Sequence, residues 1–322
     1  MSCFHLGQYF QVDGKLLQQQ YKEHISDYRS WAQLDHASEW MVFPDNTGVR
    51  LSIDETALSN GELYTIVTNK AAKGRKKALV AMIRGTQTDR ITEVLDKIPQ
   101  WLRDKVEEVT SDMAANMLSA VRRCFRNARQ VIDRFHVQKL AYDAVQDVRI
   151  KYRWLEIDRE SSFYTLAKDQ GMAYTPEVLS NGDTCKQLLA RSRYLLFTHY
   201  SKWTPSQKKR AAILFDKFPE IENAYELSIK LGDIFKNVKT KEVAFKKLAL
   251  WYNDVERAGI ESFRTVARSM QTHYINILNF FNNRSTNASA ESFNAKIKAF
   301  RATSRGVRDI NFFLFRLANI YA

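Results

Sequence analysis

Glu291 opens the run Glu-Ser-Phe-Asn-Ala-Lys-Ile-Lys, so a carboxylate is followed by an ammonium, Lys298, in a segment of helical periodicity. At about 100° per residue, Asn287, Glu291, Asn294 and Lys298 share one face, and Phe293, Ile297 and Phe300 the opposite one. A helix that buries its aromatic side holds the glutamate outward, where a carboxylate suits a divalent metal and a lysine two turns on suits a phosphate. Taken alone, the pattern also describes the solvated face of a surface helix. Two acids upstream change the reading: Asp54 ends the alternating run Val49-Arg50-Leu51-Ser52-Ile53, and Asp112 ends Val106-Glu-Glu-Val-Thr-Ser. Singly, each reads as a cap or turn residue. Together, at strand ends faced by a helix glutamate, they can converge on a metal pair.

Positioning these acids requires a sheet. The run around Leu51, then Glu62 to Thr68 and Ala78 to Ile83, read as three strands of an antiparallel meander, with Ser59-Asn60-Gly61 as the first turn. Ile91, Val94, Leu95, Ile98 and Leu102 recur at helical spacing, interrupted at Pro99. A fourth strand then ends on Asp112, a helix follows from Met113 to Phe125, and Gln130 to Asp133 forms a short fifth strand. Leu16 to Trp40 reads as helix of mixed charge.

In these segments the chain resembles the DDE transposases of bacterial insertion sequences, specifically the ISL-three group. The resemblance is carried by Ile53-Asp54-Glu55-Thr56, Val109-Thr-Ser-Asp112-Met113, Val131-Ile-Asp133-Arg-Phe-His136-Val137 and Ser285 through Lys298. The middle stretches Leu195-Leu-Phe, Tyr200-Ser-Lys-Trp-Thr-Pro-Ser206 and Phe218 through Leu227 add to it. It implies an α/β ribonuclease-H-like fold: a mixed five-stranded sheet with flanking helices and a large all-helical insertion before the catalytic-glutamate helix. It also implies that Asp54, Asp112 and Glu291 are the catalytic, metal-binding triad, holding Mg²⁺ with Mn²⁺ as a substitute. The activity implied is metal-dependent strand cleavage and strand transfer. The alternative is a catalytically inactive DNA-binding or regulatory derivative of the same fold.

The interval from Asp112 to Glu291 is far longer than a compact version of this fold needs. The expected division is an N-terminal helical segment over 1–48, the first part of the core over 49–137, the insertion over 138–285, and the catalytic helix and tail over 286–322. Repeated helical patterns such as Leu188 to Leu196 and Ala211 to Phe218 fit the insertion. Glu55 and Asp133 stay open as alternative ligands, although strand order favours Asp54 and Asp112. Asp133 and His136 form an Asp-x-x-His element, for which the resemblance implies a secondary motif and the bare residues a helix cap followed by a packed histidine.

A formal net charge of +13 over 322 residues suits a polyanionic partner. Lys70, Lys73, Arg75, Lys76 and Lys77 form one basic cluster, and Lys296, Lys298, Arg301, Arg305 and Arg308 a second beside Glu291. Asn287, Asn294, Lys298, Arg301 and Arg305 are the expected DNA contacts. The expected partner is double-stranded DNA at transposon ends, bound by a homo-oligomer. Relatives carry a zinc-binding segment and a helix-turn-helix ahead of the catalytic domain, whereas the residues preceding Asp54 hold no cysteine cluster. The expectation is that end binding belongs to a separate protein or has been lost. Cys3, Cys124 and Cys185 are scattered, without disulfide or zinc spacing, which fits a reducing cytoplasm; the transposase resemblance implies a nucleoid-associated protein there. No apolar stretch is long enough to span a membrane.

Overall fold

Alternation in the strand Arg50–Ala57 sends Leu51 and Ile53 to one side and Ser52, Asp54 and Thr56 to the other. The structure, a computed structural model, describes residues 3–58, 62–303 and 309–322. The expected turn Ser59-Asn60-Gly61 lies outside the described residues, as do Arg305 and Arg308. The strands are β1 (Trp40–Val42), β2 (Arg50–Ala57), β3 (Leu63–Asn69), β4 (Leu79–Arg84), β5 (Glu108–Ser111) and β6 (Arg129–Ile132). They form one mixed sheet in the order β1-β4-β3-β2-β5-β6. The pairs β1–β4, β4–β3 and β3–β2 are antiparallel, and β2–β5 and β5–β6 are parallel.

Three sequence expectations change. The sheet has six strands among the described residues, because β1 pairs with β4 through Trp40, Met41 and Val42. The segment read as helix from Leu16 to Trp40 is helical only as far as Ile25, then passes through turns into β1. Asp54 does not end its strand, since β2 continues to Ala57 in register with Leu63 of β3. Asp112 and Asp133, by contrast, directly follow β5 and β6.

The chain divides into two units, residues 1–133 with 284–322, and residues 134–283. In the first, one face of the sheet packs Leu51, Ile53, Val80 and Ile83 against Ile91, Val94, Met117 and Val121 of the helices Thr88–Leu95 and Ala115–Cys124. The other face packs Tyr64, Ile66, Leu79 and Met82 against Phe293 and Ile297 of the helix Ala288–Thr303, and against Phe313 and Leu317 of Ile310–Tyr321. Each such fully buried side chain contributes roughly 1.5–3 kcal/mol. The N-terminal residues Tyr28 and Trp31 stack edge-on against Phe315, which ties them to this unit.

The second unit has no strand among its described residues. Its longest helix, Arg134–Asp169, runs 36 residues. Thr184 with Gln187, and Thr204 with Gln207, form reciprocal capping boxes that start the helices Cys185–Arg191 and Pro205–Lys217. Gly259, at φ +68°, ends Lys241–Ala258 in a conformation that costs glycine least. No helix among the described residues is long and apolar enough to cross a membrane.

Candidate functional site

The helix Ala288–Thr303 lies on the side of the sheet to which Asp54 points. Its buried arc contains Ala290, Phe293 and Ile297, as the periodicity requires, but also Asn294, 8% exposed, and Asn287, directly before the helix, is fully buried. This corrects the expectation that both asparagines face DNA. At about 100° per residue they sit at the edge of the apolar arc, and the sheet's polar groups draw them in. Asn287 donates its backbone N–H to Asp133 Oδ2 at 3.0 Å and its side-chain amide to Ile53 O at 3.4 Å. Asn294 Nδ2 donates to Asp54 Oδ2 at 2.8 Å and to Glu55 O at 3.3 Å. Glu291 stands between them on the helix, its N–H bonded to Asn287 O at 2.9 Å and its side chain exposed. Lys298 is exposed and Arg301 half-exposed.

Strand parity separates Asp54 from Glu55. Glu55 shares the side of Leu51 and Ile53, where the Asn116 side chain binds it. Burial lifts the Glu55 carboxyl above its ordinary value, the charge of Asp112 lifts it further, and the Asn116 bond opposes both. Asp54 takes the opposite side, toward the Glu291 helix, and its Oδ1 accepts the Glu55 N–H at 2.9 Å. Asp112 turns at the end of β5, where its Oδ1 accepts the Ala114 N–H at 3.0 Å. Parallel pairing of Ser52 with Thr110 brings the two aspartate-bearing segments side by side.

Asp133 is fully buried and anchors the start of the Glu291 helix through Asn287, while its own N–H donates to Ser111 O at 3.0 Å. The helix Arg134–Asp169 follows it directly in sequence. His136 is half-buried in that following helix, within the second unit.

The basic cluster between β3 and β4 divides. Lys73, Arg75, Lys76 and Lys77 are exposed. Lys70 turns inward: its Nζ lies 3.4 Å from Glu108 Oε1 and donates to Thr110 Oγ1. Its side chain is 13% exposed and that of Glu108 3%. Burial lowers the Lys70 ammonium below its ordinary range, against the raising effect of Glu108 and, more weakly, Asp133. In the second cluster, Lys296 Nζ donates to Gly74 O at 2.7 Å, where Gly74 adopts φ +68°. The one sequence signal for the Lys70 pair is period two in β5, which sets Glu108 and Thr110 opposite Val109.

The donors at Asp54, Asp112 and Glu291 are all carboxylate oxygens, the ligand type that Mg²⁺ prefers. Among the described residues, no three His, Cys, Asp or Glu side chains gather into a metal-holding group.

A family model described as a transposase, that of the DDE transposases of the ISL-three group, matches residues 51–317. The chain belongs to this transposase family. No curated protein and no solved structure matches it.

Proposed function

We propose that the protein cleaves double-stranded DNA at the ends of an insertion sequence and transfers the freed strands to a target, with Asp54, Asp112 and Glu291 as its catalytic carboxylates. The observation that carries this reading is the seating of the Glu291 helix over the Asp54 side of β2, tied there by Asn294 Nδ2 at 2.8 Å from Asp54 Oδ2. A glutamate and an aspartate from distant parts of the chain thus share one side of the sheet. The ribonuclease-H-like fold is supported by an antiparallel meander followed by two parallel strands, with helices on both faces. Residues 138–285 are read as an insertion into that fold.

Asp54, Asp112 and Glu291 would hold Mg²⁺, or Mn²⁺ in its place. When bound, such ions stabilise the attacking and leaving oxygens of an in-line phosphoryl displacement. The chain's own residues do the positioning. The backbone N–H of Glu55 and the amide of Asn294 orient the Asp54 carboxylate, and the Ala114 N–H orients Asp112. Exposed Lys298 and half-exposed Arg301 hold the DNA backbone beside Glu291. DNA bound by a homo-oligomer completes the proposal.

A second reading has one observation in its favour: no three acidic side chains gather into a metal-holding group among the described residues. It makes the protein a DNA-binding derivative without catalysis. Nicking of supercoiled plasmid with Mg²⁺ distinguishes the two. The catalytic reading expects nicking by the parent, loss of nicking in Glu291→Gln, and retained DNA binding in both. Equal nicking by Glu291→Gln, or no nicking by the parent on its own end sequences, favours the second reading.

A further inference from the structure

We infer that Asn294 is a positioning residue for Asp54, and that Asn294 and Asn287 together clamp the Glu291 helix to β2 so that Glu291 and Asp54 keep one fixed relation. The inference rests on the reading of Asp54 and Glu291 as carboxylates of one site.

The two asparagines stand seven residues apart, about two helical turns, with Glu291 between them. Each spends its amide on β2. Asn287 reaches Ile53 O at 3.4 Å, and Asn294 reaches Asp54 Oδ2 at 2.8 Å and Glu55 O at 3.3 Å. Three successive residues of one strand are therefore bound by one helix, above and below the glutamate. The backbone of Asn287 is held independently by the buried Asp133 at 3.0 Å. Apolar contacts of Phe293 and Ile297 hold the helix against the sheet but leave sliding along the strand cheap. Directional hydrogen bonds to three consecutive strand residues oppose that sliding.

Asp54 is fixed at both oxygens. Oδ1 accepts the Glu55 N–H at 2.9 Å and Oδ2 accepts Asn294 Nδ2 at 2.8 Å. Rotation of the carboxylate would break one bond or the other. The reversed amide is disfavoured, because it would set Asn294 Oδ1 against a carboxylate oxygen. As placed, Oδ1 of Asn294 is buried without a partner among the described residues, an acceptor left for an ion or its water beside Asp54. Groups that orient a ligating carboxylate in this way are typically worth about 10–100-fold in metal affinity or activity.

The test uses Asn294→Leu, which keeps the side chain's approximate volume and deletes its donor, with Asn294→Ala where leucine does not fold. Mn²⁺ binding is measured by calorimetry without DNA, alongside DNA affinity and the thermal midpoint. The expected result is a loss of roughly 10–100-fold in Mn²⁺ affinity with DNA affinity unchanged. In an Asp54→Asn background the second substitution should cost nothing further, because it acts through Asp54. Parent-like Mn²⁺ affinity in the Leu variant, or additive losses in the double variant, overturns the inference. If the parent itself takes up no Mn²⁺, the metal reading falls and amide hydrogen exchange decides the clamp. Faster exchange over residues 288–294 in the Leu variant upholds it, and unchanged exchange overturns it.

Discussion

Replacing Lys70 by Met deletes one partner of an ion pair whose other member, Glu108, has a side chain only 3% exposed. At an effective dielectric of about 20, unit charges at the observed 3.4 Å attract by roughly 5 kcal/mol. Desolvation of each ion costs several kcal/mol, and the lowered Lys70 ammonium says that for this group burial outweighs the attraction. Breaking the pair removes the ammonium that faces a buried carboxylate. Lys70→Met should destabilise the first unit by about 3–5 kcal/mol, and adding Glu108→Leu should recover most of that loss. Equilibrium unfolding in urea measures the change. Hydrogen exchange at β3 and β5 keeps the transition of the second unit from masking it. The pH dependence carries a second signature. Lys70 has a lower value folded than its ordinary 10.5, so between those two values the unfolded chain binds more protons. Stability should rise with pH through that alkaline window in the parent and lose this rise in Lys70→Met. A single variant as stable as the parent, or a double variant no better than the single, would refute the reasoning.

Two further outcomes are expected. Glu55→Gln should flatten the fall of the thermal midpoint with rising pH above 4.5. The folded carboxyl is raised, so the stability it contributes is complete below 4.5 and lost as pH climbs through the folded value. A profile identical to the parent's would contradict the burial and Asp112 coupling assigned to Glu55. Lys298→Ala should weaken DNA binding and reduce the slope of log affinity against log salt by about one. An unchanged slope in a filter-binding titration would remove Lys298 from the DNA surface.

What the sequence made legible followed periodicity, and what it hid followed from partners far away in the chain. The meander and the helices on either side of Asp112 were readable because Leu51, Ile53, Val94 and Val121 repeat at strand or helix spacing. β1 was not, since three residues give no alternation to count, and only pairing with β4 makes Trp40–Val42 a strand. The choice between Asp54 and Glu55 was present in the sequence as parity: Leu51 and Ile53 occupy one side, so Glu55 must share it and Asp54 must oppose it. That inference needed the knowledge that the Glu291 helix covers the opposite side. The two asparagines were misjudged for a related reason. A helical wheel divides residues by polarity, so it sends Asn287 and Asn294 outward with Glu291, whereas hydrogen-bond acceptors on β2 make the edge of the apolar arc hospitable to amides. Lys70 shows the same blindness in charge counting. In sequence it belongs to a basic run, yet its partner Glu108 is 38 residues away on a strand reached through two helices. Polar residues at the margin of a buried surface are thus where composition and periodicity say least. In this chain they are also the residues that join the Glu291 helix to the Asp54 strand, so the relation between the two acids is set by side chains that no one-dimensional pattern marks.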